Sequence, residues 1–134
     1  MDASEHEAAL IRAFVAPKRR ARFLSFLRTP HGREKLRAAL PHFRALDERF
    51  AHLVPSEDRY AASIEATLRS KGAPDTCHIV SEWSRIDGCD MPLSDALLEV
   101  VGSSMGTFVS CIPGRLAYFE FEDIVGYILE REAI

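Results

Sequence analysis

The chain has 134 residues, 47% apolar and 28% charged. This is ordinary globular composition, and the length is enough to bury roughly two-thirds of the unfolded surface, which excludes a collagenous chain, a disordered chain and a disulfide-stapled mini-protein. The net charge is −3, and the three cysteines, Cys77, Cys89 and Cys111, form an odd set that fits reduced thiols. The acidic start, Met1-Asp2-Ala3-Ser4-Glu5-His6-Glu7, is unlike a signal peptide, and no apolar run approaches the ~18 residues of a membrane span. The expected location is therefore cytoplasmic. Asn and Gln are absent and Arg outnumbers Lys by 14 to 3. G+C-rich codon usage explains this more simply than heat adaptation, which enriches Lys.

In chain order, the first half reads as about four helices. Ser4 with Glu7 forms a capping box, followed by Leu10, Ile11, Phe14 and Val15 at helical spacing. A second helix runs from Pro17 to about Arg28 with Phe23, Leu24 and Leu27 inward. Thr29-Pro30 caps and opens a third, which uses Leu36, Leu40 and Phe43 and is interrupted by Pro41. The fourth is capped by Ser56, carries the stripe Tyr60, Ile64, Leu68, and stops at Gly72-Ala73-Pro74.

The pattern then changes. Thr76 to Trp83 alternates as a strand, Asp87-Gly88 turns, and Ser94-Asp95 caps a short helix from Ala96 to Val101. Thr107–Ile112 and Leu116–Phe121 are strands joined through Pro113-Gly114, whose residues favour a type II turn. A helical tail is expected over Ile124–Glu130. The expected fold is α+β in one domain, 1–134. A helical half, 1–74, packs on one face of a small, mainly antiparallel βαββ sheet, 75–134.

Charge is divided along the chain. Residues 12–44 hold ten bases and one acid, Glu34, whereas residues 45–134 hold seven bases and sixteen acids. Arg19, Arg20 and Arg22 share one helix; Arg33 and Arg37 lie four apart on the next. These five are the candidate binding residues. With the turn Thr29-Pro30-His31-Gly32 between them, the helices are compatible with helix-turn-helix. However, a dedicated DNA-binding domain has a pI above about 9, and this chain's is 5.9.

The chemical motifs are weak. Gly102-Ser103-Ser104-Met105-Gly106 matches G-x-S-x-G, but a helix precedes it and a strand follows, the reverse of a nucleophile elbow, and no His lies downstream. The cysteines are 12 and 22 residues apart, with no close pair to grip zinc, so no metal and no cofactor is expected. Glu82, Asp87, Asp90 and Asp95 read as a solvated acidic loop. His78, Glu82, Ser110 and Tyr118 converge only under a suitable strand register, and phosphate-loop glycine patterns are absent.

Three functional readings follow, in this order. The first is a non-enzymatic protein-interaction or regulatory module using the basic helices, with a protein partner or a second copy as ligand. The second is nucleic-acid binding through the same arginines. The third is a small enzyme with His78, Glu82 and Cys111 near the sheet.

Overall fold

The structure is a computed structural model that describes residues 2–123 and 125–132. Five helices, α1 (Ala3–Phe14), α2 (Arg20–Phe26), α3 (Pro30–Ala39), α4 (Ala61–Ser70) and α5 (Leu93–Val100), accompany six strands among these residues. The strands are β1 (Ala51–Leu53), β2 (Thr76–Ser81), β3 (Asp90–Pro92), β4 (Thr107–Ile112), β5 (Leu116–Glu120) and β6 (Gly126–Glu130). They form one antiparallel sheet in the order β1-β6-β5-β4-β2-β3. The class is α+β, with helices mostly N-terminal and strands mostly C-terminal.

The sheet is larger than expected and is covered on both faces, not one. Alternation along each strand sends successive side chains to opposite faces. Val80, Phe108 and Phe119 meet Leu10, Phe14, Phe23, Leu36 and Phe43 from the α1–α3 side. Ile79, Val109, Tyr118 and Ile128 meet Ile64, Leu68, Leu97 and Val100 from the α4–α5 side. Burial on both faces explains why β5 reads as a nearly continuous apolar run. Each fully buried Leu or Phe contributes about 2 kcal/mol. Aromatic contacts tie α2 to the sheet: Phe23 packs on Phe43 at 5.3 Å between ring centroids, and Phe43 on Phe108 at 5.7 Å.

The expected helical tail is a strand. β6 pairs with β5 on one side and β1 on the other, Tyr118 facing Ile128 and His52 facing Ile128 from across. Ile128 and Tyr127 point to opposite cores, a period of two that short apolar runs conceal. Ile124 lies outside the described residues.

Three caps also differ. Asp2, rather than Ser4, caps α1 by accepting from Glu5 N–H at 2.8 Å, which frees Glu7 to turn inward. Ser56 opens a separate 3-10 turn, Ser56–Asp58, and α4 starts only at Ala61 after extended Tyr60, whose side chain is exposed. α5 starts at Leu93, and Ser94 Oγ donates to Glu65 of α4 at 2.9 Å instead of capping. Thr29 does cap α3, accepting from Gly32 N–H at 2.9 Å, with Pro30 in its first turn. At the β4–β5 turn Arg115 N–H donates to Ile112 carbonyl at 2.9 Å, and Gly114 has φ +71°, the left-handed position of a type II turn.

Candidate functional site

The basic helices divide into cations used within the chain and cations left at the surface. Arg33 is one of the former. Its guanidinium donates to both oxygens of Glu7 on α1 and to both oxygens of Asp87, at 2.9 and 3.1 Å for the latter. Arg37 donates to the carbonyls of Ser81 and Glu82 at 3.2 and 2.8 Å and lies 3.6 Å from Asp87. Arg20 donates to Val15 carbonyl at 2.8 Å and to Asp47 at 3.1 Å. Arg20, Arg33 and Arg37 thus fasten the helices to the rest of the chain, each facing an acid of its later part, Asp47 or Asp87.

Arg19 and Arg22 are exposed, and among the described residues neither has an acidic partner. With Lys35 of α3, equally unpaired, they line a groove of about 530 Å³ between α2 and α3, together with Phe23, Phe26, Ala38 and Ala39. The Arg22 guanidinium lies 5.4 Å from the Phe26 ring centroid, a cation–π distance. The groove exists because Phe23 is drawn into the core while Phe26, three residues on, stays half-buried. A cationic rim over an apolar floor can hold an acidic group beside an apolar one.

Arg33 leads to a buried ionic cluster that sequence reading did not assemble. His78 on β2 is 1% exposed. Its Nε2 lies 2.7 Å from Glu7 and its Nδ1 2.6 Å from Asp90 on β3. A ring with a carboxylate at each nitrogen must donate from both, which only the imidazolium does. Burial alone lowers the pKa of His78, but hydrogen bonds to Glu7 and Asp90 outweigh it and hold the group above its ordinary value. Burial alone raises that of Glu7, but hydrogen bonds from His78 and Arg33 outweigh it and hold the carboxyl below its ordinary value. The His6 ring lies 5.2 Å from that of His78, and His6 Nε2 lies 2.7 Å from Ser110 Oγ. Burial first, then the His78 charge, lower the His6 pKa.

Glu7 carried a legible signal. It sits one turn before Leu10 and Ile11 on the inward stripe of α1, where a charge demands a buried partner.

The residues of the enzyme reading are not brought together. His78 faces α1, whereas Cys111 lies in the opposite core with Val109 and Tyr118. Burial, its largest cause, pushes the Cys111 thiol up to about 12, and the same holds for Cys77. Glu82 accepts from Gly106 N–H at 2.7 Å. Of the residues that might have converged on His78, Ser110 shares its face and Tyr118 does not.

The G-x-S-x-G segment is a loop tied down from beneath. Glu120, fully buried, accepts from the N–H groups of Gly102 and Ser104 at 3.0 and 3.3 Å and from Tyr118 hydroxyl at 2.8 Å. Among the described residues no three of His, Cys, Asp and Glu are arranged to share a metal ion, and no helix is long and apolar enough to cross a membrane. No family model, curated protein or solved structure matches the chain.

Proposed function

We propose that this protein is a non-enzymatic docking module for an acidic protein segment, held in the groove between α2 and α3. One observation carries the reading: Arg19, Arg22 and Lys35 surround a groove containing two phenyl rings, and none of the three has an acidic partner among the described residues. Acidic side chains flanking one apolar side chain match that surface. A phosphate backbone matches the cations but leaves the rings without a partner, unless bases stack on them. The separation of His78, Glu82 and Cys111 favours binding over catalysis. The free cysteines fit a soluble protein of the cytoplasm.

Anisotropy titrations test this. The probes are a labelled Glu/Asp-rich peptide with a central Phe, a duplex DNA and a single-stranded RNA, at about 50 and about 500 mM salt. The peptide is expected to bind, more weakly at the higher salt, and to lose at least about tenfold in affinity with Arg19→Glu and Arg22→Glu together. Nucleic acid binding more tightly than the peptide, with the same arginine dependence, overturns the reading in favour of nucleic-acid recognition. A salt-sensitive dimer in light scattering, abolished by the same substitutions, identifies the acidic partner as a second copy.

A further inference from the structure

A second concentration of cations lies elsewhere, where β1, β5 and β6 end. A cavity of about 780 Å³ is lined there by Arg49, Phe50, Lys71, Ile112, Arg115 and Arg131, among others, a size typical of small-ligand sites. Two guanidinium groups stack on one phenyl ring: Arg131 Cζ is 4.3 Å and Arg49 Cζ 5.0 Å from the Phe50 centroid. Arg131 N–H donates to Arg115 carbonyl at 2.9 Å, so these two side chains spring from neighbouring points, just before β5 and just after β6.

The carboxylates present do not balance these cations. Arg49 donates to Asp47 at 3.0 and 2.8 Å, but Asp47 is shared with Arg20. Arg131 donates to the neutral carbonyl of Ala13 at 3.1 Å. Arg115 is exposed and has no acidic partner among the described residues. Glu130 is taken by Lys71 at 2.9 Å, and Glu132 is the remaining carboxylate of the lining. Like charges gathered on one ring repel, and an anion between them relieves the repulsion.

We infer that this cavity is a binding site for a small organic phosphate, its phosphoryl group held by Arg115 and Arg131 and its organic part against Ile112 and Leu116. The planar fork of Arg presents paired donors that match phosphate oxygens, and stacking on Phe50 fixes one fork in advance. Arg49, over the same ring, adds positive field. The site is independent of the α2–α3 groove, sharing no lining residue with it.

Calorimetric titration with sodium pyrophosphate at constant ionic strength tests the inference, with citrate as a phosphate-free polyanion. Pyrophosphate is expected to bind, with affinity falling at least about tenfold in Arg115→Gln and in Arg131→Gln and unchanged in Arg22→Glu. Arg115 is exposed, so Arg115→Gln is expected to fold normally and keeps the test decisive. No heat beyond that of added chloride, equal affinity in Arg115→Gln, or citrate binding more tightly than pyrophosphate each overturns it. Loss of acidic-peptide binding in Arg22→Glu with pyrophosphate binding intact separates this site from the docking groove.

Discussion

Glu7 and His78 stand 71 residues apart in sequence and 2.7 Å apart in the fold. One carboxylate on α1 receives the imidazole of β2 and the guanidinium of Arg33 on α3, so three elements meet on one side chain. Removing it takes one carboxylate from each of two cations, leaving His78 only Asp90 and Arg33 only Asp87. Breaking a buried pair in this way costs about 3 kcal/mol or more. Glu7→Ala is expected to lower unfolding stability by that amount in urea titrations, with Glu7→Gln less damaging because its amide oxygen still accepts. A loss under about 1 kcal/mol contradicts a buried, fully engaged Glu7.

The same cluster sets a pH dependence with opposing signs. His78 has a folded pKa above the ordinary 6.5, so its stabilisation is complete below pH 6.5 and is lost as pH rises through the raised value. His6 has a folded pKa below 6.5; its contribution is present above 6.5 and is lost as pH falls through the lowered value. Glu7, held below its ordinary 4.5, adds a further loss at more acid pH. Stability is expected to peak near pH 6.5 and decline on both sides. His78→Gln should remove the alkaline decline and His6→Gln the first acid one. Urea midpoints across about pH 5 to 9 report this, and a wild-type profile that keeps rising above pH 7 contradicts it.

Thiol chemistry separates the cores from the surface. Cys77 and Cys111 are buried, with thiols pushed up to about 12, whereas Cys89 is exposed. Since the thiolate is the reactive form, a disulfide reagent should label Cys89 quickly and the other two only on unfolding. Rapid labelling of Cys111 in the folded protein would revive the enzyme reading.

The loop between α5 and β4 depends on close approach. A β-carbon added at Gly106 would collide with the Leu40 carbonyl and with Pro41. Backbone has little room to retreat, so Gly106→Ala is expected to cost about 2 kcal/mol or more. Glu120→Ala, which strands the N–H groups of Gly102 and Ser104, should cost about 3 kcal/mol and open residues 102–106 to proteolysis. Wild-type melting temperatures in both variants would contradict this account of the loop.

The helices of the first half were legible because their signals are local: Thr29-Pro30 opens α3, and Leu36 and Leu40 form its inner stripe. The central strands were legible through Ile79, Val80 and the Pro113-Gly114 turn. The edge strands β1 and β3 were not, because three residues carry no periodicity. β6 reads as a helix in sequence for a related reason, since Ile128 and Leu129 together fit either period until β5 and β1 supply partners. The separation of the basic residues was also hidden. Arg33 and Arg19 look alike in sequence; only the long-range placement of Glu7 and Asp87 makes one a fastening and leaves the other outside. The phenyl ring shared by Arg49 and Arg131 depends on the same kind of distant pairing.

The most direct test of the docking account is backbone amide chemical-shift mapping during titration with the acidic peptide. The account expects saturable shifts confined to Arg19, Arg22, Phe23, Phe26, Lys35, Ala38, Ala39 and their immediate neighbours. Saturable shifts that leave α2 and α3 untouched, or none at millimolar peptide, would contradict it.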